Sequence, residues 1–81
     1  MKILRFYTPT CMACRAVGKM LEKLDVTVEG INALEDIVAV DKYNVCTIPT
    51  LIFLNENNEE VHRTVGMVTL STIKEILDNN K

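Results

Sequence analysis

The sequence has no polar, Gly/Ser-rich or Pro-rich tract long enough to act as a linker. With three glycines and two prolines in 81 residues, the expectation is one domain, residues 1–81, with a small core. Basic residues are not in excess. Nine Lys and Arg against eleven Asp and Glu leave a formal charge of −2, so no electrostatic footprint for a nucleic acid exists. Long hydrophobic runs are also missing: the longest, Ile48 to Leu54, is far short of a membrane span and contains Pro49 and Thr50. Lys2 and Arg5 interrupt the first apolar segment, which has neither the apolar h-region nor the cleavage site of a signal peptide, and a cytoplasmic location is expected. Cysteine is scarce and odd in number. Three cysteines in such a chain fit a catalytic or metal-binding role better than a disulfide framework, which would need a larger and even count. No internal repeat or low-complexity segment appears.

What is present centres on Thr8-Pro9-Thr10-Cys11-Met12-Ala13-Cys14-Arg15. Before it, residues 1–7 read as a short strand; after it, Ala16, Val17, Met20, Leu21 and Leu24 recur at helical spacing to about Asp25. The cysteine pair therefore stands where a strand hands over to a helix. There Cys11 falls at a helix N-terminus, whose unpaired N–H groups and positive dipole end favour a thiolate. Cys14, one turn further in, lies on the same face and is expected to be shielded. A thiol attacks a disulfide only as its thiolate; a pKa near 8.5 leaves a few per cent ionised near neutral pH, whereas a value near 7 gives roughly half. Two cysteines so spaced divide the work: one forms a mixed disulfide with a substrate, and the other attacks the first and releases the substrate. The same spacing is also half of a zinc site, for which Cys46 and His62 are the remaining ligand candidates.

Further along, residues 26–31 alternate like a second strand, joined to the first through the helix and so parallel to it. Asn32 with Glu35 reads as an N-cap and capping-box partner for a short helix through Leu34, Ile37, Val38 and Asp41 to about Tyr43. Pro49 precedes a clear strand, Leu51 to Leu54, where a residue without an N–H is tolerated. Residues 55–58 carry turn chemistry, and residues 59–65 form a charged return strand suited to a sheet edge. After Gly66, Thr69 caps a last amphipathic helix with Leu70, Ile73, Ile76 and Leu77 inward and residues 78–81 fraying. Phe6, Val17, Leu21, Ile52, Phe53 and Ile73 are expected in the core. The order is βαβαββα, an α/β fold.

This order, the pair Cys11-Met12-Ala13-Cys14 at a strand-to-helix junction, and Tyr43-Asn44-Val45-Cys46-Thr47-Ile48-Pro49-Thr50-Leu51 together resemble the thioredoxin superfamily, in a minimal form lacking the extra N-terminal strand and helix. The resemblance covers nearly the whole chain. It implies a four-stranded mixed sheet of order 2-1-3-4 with one helix on one face and two on the other, and a cis peptide at Pro49 opposite the cysteines. It further implies that Gly66 lets a substrate backbone approach. The Ile-Pro-Thr before an apolar strand looks thioredoxin-like; the small size looks glutaredoxin-like, although Met67 and Val68 stand where glutaredoxins place a second glycine and an acid.

The implied activity is reduction of protein disulfides by Cys11 as nucleophile and Cys14 as resolving thiol. Thr10, Met12, Thr47, Ile48, Pro49 and Gly66 are the expected substrate contacts, with Met67 on the same apolar rim. Pro49 is also expected to keep metals from the thiols. Electrons would come from an NADPH-dependent flavoprotein reductase, or from glutathione if the glutaredoxin likeness governs; the chain itself is expected to be monomeric and to bind no cofactor. Two departures stand out. Thr10 and Met12-Ala13 replace the family's usual tryptophan and Gly-Pro, and Arg5 and Gly30 align with the buried acid and its lysine partner. Arg5, with Arg15 beside Cys14, is accordingly expected to favour thiolate. Cys46, three residues before Pro49, is either a small hydrophobe or a third, modifiable thiol.

Overall fold

A computed structural model describes residues 1–80. Four strands form one mixed sheet in the order β2-β1-β3-β4: β1 (Lys2–Tyr7), β2 (Thr27–Asn32), β3 (Thr50–Leu54) and β4 (Glu60–Val65). β1 pairs parallel with β2 and antiparallel with β3, and β3 pairs antiparallel with β4. Helices α1 (Met12–Glu22) and α3 (Leu70–Asn79) cover one face and α2 (Ile37–Lys42) the other. The expected βαβαββα order, sheet order and distribution of helices are all present.

The alternation of strand side chains separates two packed layers. Ile3, Leu51 and Phe53 meet Val17, Leu21, Ile73 and Ile76 on the α1/α3 side. Leu4, Phe6, Ile52 and Leu54 meet Ile31 and Val45 on the other, with Ala39, Val40 and Tyr43 of the α2 region packed against them. β3 is buried along its whole length, which explains why it reads as an unbroken apolar run instead of an alternating one. Phe6, Val17, Leu21, Ile52, Phe53 and Ile73 are all in this core.

Several boundaries differ from the sequence reading. α1 stops at Glu22, with the Lys23 N–H turned onto the carbonyls of Met20 and Leu21, so Leu24 folds back against the core from outside the helix. Asn32 does not cap α2. Its side-chain oxygen accepts the Leu34 N–H at 3.0 Å in a local turn, and Asp36 provides the cap, accepting the Ala39 N–H at 3.0 Å. Glu35 consequently lies before the helix, outside any capping box. Asn and Asp both bond backbone two or three residues on, so their side chains alone do not tell a turn from a cap. Leu34, Ile37 and Val38 are exposed, because the shortened helix rests on its Ala39, Val40 and Tyr43 side. α3 reaches Asn79, within the segment where fraying is expected, and the Asn80 amide donates to the Ile76 carbonyl at 2.8 Å. Lys81 lies outside the described residues. Among the described residues, no helix is long and apolar enough to cross a membrane.

Candidate active site

The cysteine turn is built by helix capping. Cys11 has extended backbone (φ −85°, ψ 110°) and stands as the N-cap of α1. Its N–H donates to the Thr8 carbonyl at 3.2 Å, closing the turn that leaves β1, and its carbonyl accepts the Arg15 N–H at 3.3 Å. The Cys11 sulfur occupies the place of a capping oxygen and receives the Cys14 N–H at 3.0 Å. Threonine, a residue type that caps well, was available at positions 8 and 10; a sulfur in that role instead puts the reacting atom at the positive end of the helix. Cys11 and Cys14 are joined as a disulfide, with Cα atoms 5.2 Å apart. Cys14 is 1 % exposed whereas Cys11 is partly open to solvent, so the two sulfurs are not equivalent to an incoming group.

Two further loops leave the same end of the sheet. Phe6 of β1 is opposite Thr50 of β3, which sets Pro49 level with Tyr7, the residue from which the cysteine turn departs. The Ile48–Pro49 peptide is cis, as the resemblance implied. The Thr50 hydroxyl donates to the Thr47 carbonyl, and the Gly66 N–H donates to the Pro49 carbonyl at 2.8 Å. Gly66 has φ +82°, a conformation that costs glycine little, and a Cβ built there would meet open space. Thr10, Thr47 and Met12 (74 % exposed) are solvent-facing, Met67 is exposed, and Ile48 is half-buried against the α2-side core.

Residues 1–79 match the Thioredoxin family model. The chain belongs to the thioredoxin family. It is 37% identical over 67 residues to a thioredoxin of Chlamydia pneumoniae, a match covering 76% of this chain and 65% of that protein. It is 27% identical over 66 residues to the SPbeta prophage-derived thioredoxin-like protein YosR of Bacillus subtilis, covering 82% of each. Among solved structures, a mutant thioredoxin of Halobacterium salinarum superposes with a TM-score of 0.90 at 23% identity, over 98% of this chain and 73% of that one. Thioredoxin 1 of Thermosipho africanus superposes with a TM-score of 0.77 at 27% identity over 100% of both chains. Family membership and the Cys11–Cys14 pair make the protein a thiol–disulfide oxidoreductase.

The remaining candidates of this thioredoxin-family chain are spread around the pair. Arg5 lies beneath Cys14, with one guanidinium nitrogen 3.4 Å from the Cys14 carbonyl oxygen. Arg15 is exposed and donates to the Pro9 carbonyl at 3.2 Å, tethering the loop before the cysteines. Cys46 is a free, exposed thiol directed at the Asn44 carbonyl. His62 is exposed and sits edge-on to the Phe53 ring. Among the described residues, no three potential metal ligands converge, and neither Cys46 nor His62 joins the pair.

One positioning residue escaped the sequence reading. Arg63 donates to the Tyr43 carbonyl at 2.8 Å and makes a two-pronged ion pair with Glu60, at 2.6 and 2.7 Å. It thereby fastens β4 to the start of the segment that leads to Pro49. Residues three apart on a regular strand point to opposite faces, so their spacing hides the pair. A register shift, with Glu60 opposite Leu54 and His62 opposite Phe53, inserts an extra residue and brings Glu60 and Arg63 to the same face. The hydrogen bond from Arg63 holds the Glu60 carboxyl below its ordinary range; burial opposes it, and the Arg63 charge adds a smaller lowering effect. A carboxyl lowered by folding stabilises above its unfolded pKa, and that contribution disappears as pH falls through the folded value. Glu60→Gln should therefore cost about 0.2–1 kcal/mol at pH 7. In urea titrations, the gap between variant and parent should close as pH drops from about 4.5 downward; a gap constant from pH 7 to pH 3 would contradict the pairing.

Proposed function

We propose that this protein reduces disulfides in other proteins, with Cys11 attacking and Cys14 resolving. The observation that carries the reading is the inequality of the two sulfurs: Cys11 caps the helix within reach of solvent, and Cys14 is buried one turn behind it. The Cys11 thiolate attacks one sulfur of the substrate disulfide, forming a Cys11–substrate bond and expelling the other substrate sulfur as a thiolate that takes up a proton. The Cys14 thiolate then attacks Cys11; the Cys11–Cys14 bond forms, the mixed disulfide breaks, and the second substrate thiol leaves. The substrate gains two electrons and the protein dithiol loses them.

The cysteine turn, the Thr47–Pro49 segment and Gly66 supply the docking end, where an extended substrate segment lies along the Pro49 loop and the exposed Met12 and Met67 provide adaptable apolar contact. Electrons return from an NADPH-dependent flavoprotein disulfide reductase, and the protein works as a cytoplasmic monomer. The relatives called thioredoxins and the absence of a second glycine and acid after Gly66 favour this donor over glutathione. Insulin reduction followed by turbidity tests the reading. Precipitation should be fast with a thioredoxin reductase and NADPH, and at least about tenfold slower with glutathione, glutathione reductase and NADPH. No acceleration with any donor, dithiothreitol included, would refute it.

A further inference from the structure

The proposal concerns Arg5, and it rests on the oxidoreductase reading of the Cys11–Cys14 pair. Ile3, Arg5 and Tyr7 alternate onto the α1 face of the sheet, so Arg5 is the one charged side chain that β1 sends under the start of α1. The guanidinium is confined from three sides. Its carbon lies 4.5 Å from the centre of the Tyr7 ring. A Cβ built on Gly18 would come within 3.4 Å of that carbon, and one built on Gly30, opposite Arg5 in the β1–β2 register, within 3.5 Å of a terminal nitrogen. These two glycines therefore leave the space that the arginine fills. From there a terminal nitrogen reaches the Cys14 carbonyl at 3.4 Å. No carboxylate among the described residues pairs with it.

A guanidinium is a permanent charge and cannot act as a base, so Arg5 neither gives nor takes the resolving proton. Its effect is on the charge that appears behind Cys11 when Cys14 ionises. The groove beside Cys14 is lined by Arg5 and Tyr7 from β1 and by Arg15, Lys19 and Glu22 from α1 itself, a net excess of cations. Residues 47–52 of the neighbouring loop and β3 carry no ionisable group. Glu29 of β2 is paired with Lys2, and Lys74 and Asp78 of α3 line a different groove, with Met1 and Leu24. In the mixed disulfide Cys11 is bonded to the substrate sulfur and carries no charge, so the cations of this groove act on Cys14 without a neighbouring thiolate.

We propose that Arg5 is a positioning residue for the resolving step: clamped between Tyr7, Gly18 and Gly30, its guanidinium holds the first turn of α1 and stabilises the Cys14 thiolate that attacks the mixed disulfide. In the attack, the electron pair on the Cys14 sulfur becomes the Cys11–Cys14 bond, and the pair of the broken bond leaves on the substrate sulfur, so the fixed charge beneath Cys14 raises the fraction of protein ready for the step.

The test is the pH profile of Cys14 alkylation by iodoacetamide in the full chain carrying Cys11→Ser and Cys46→Ser. Arg5→Gln and Arg5→Met, the second keeping an unbranched stem against Tyr7, should raise the midpoint by about half to one unit. That is less than a direct ion contact gives, because the guanidinium touches the carbonyl instead of the sulfur. Arg5→Lys should return it most of the way. Thermal melts identify which variants are folded. An unchanged midpoint in either folded neutral variant, or an equal rise in the lysine variant, would overturn the proposal. Insulin reduction is measured separately on the chain with Cys11 and Cys14 intact, so either result leaves the oxidoreductase reading standing.

Discussion

Replacing Cys14 with serine should stop turnover and leave the protein covalently bound to its substrates through Cys11. Without a resolving thiol, the mixed disulfide has no internal route to collapse, and insulin reduction should fall by on the order of 10³-fold or more. The variant is best made with Cys46→Ser, because Cys46 is free and exposed and would otherwise form adducts of its own. Non-reducing gels should then show discrete higher-mass species that disappear with dithiothreitol, and mass spectrometry of tryptic fragments should place the linkage on Cys11. Cys11→Ser should lose turnover to the same extent and trap nothing, since Cys14 is buried. Abundant adducts from the Cys11→Ser protein would reverse the assignment of roles. Serine keeps the approximate shape of both side chains, and an oxygen at position 11 can still accept the Cys14 N–H, so loss of activity will reflect chemistry and not unfolding.

Phe53→Ala should produce the largest loss of stability. Phe53 is fully buried in β3 and packs in the layer that includes Ile3, Leu51, Val17 and Ile73. Truncating such a ring removes both its transfer free energy and its packing contacts, at a cost of about 3–5 kcal/mol. An 81-residue chain has a total stability of about 4–12 kcal/mol, so the variant should be close to unfolding. The urea midpoint should drop sharply with little change of slope. Met67→Ala, at an exposed position, serves as the control and should stay within about 0.5 kcal/mol of the parent. A loss below about 1 kcal/mol for Phe53→Ala would mean that the layer can close over the gap.

Much of the architecture could be read from residue pattern because local and tertiary preferences agree. Leu51 to Leu54 after Pro49 reads as a strand, and Thr69 before an apolar stripe reads as a cap; the structure contains both. The cysteine junction was legible for the same reason: a strand, a short loop and a helix leave Cys11 little choice but the N-cap. The failures occur where two local chemistries compete. Asn32 and Asp36 both bond nearby backbone, so the cap was assigned to the wrong one, and a six-residue helix carries too few apolar positions to fix which side faces inward. Arg63 was hidden by a bulge, since an inserted residue reverses the side-chain parity that a strand pattern relies on. Arg5 was singled out through its alignment with the family's buried acid. Its confinement could not be seen, because Gly18 and Gly30 become its walls only once the β1–β2 register and the seat of α1 are known.

The burial of Cys14 behind Cys11 has a kinetic corollary. With the rear sulfur screened, electron donor and protein disulfide must both approach through the front one, so the two cannot be engaged at the same time. Exchange then proceeds by alternation, each partner departing before the next arrives, and a surplus of either one slows the cycle by occupying the shared berth.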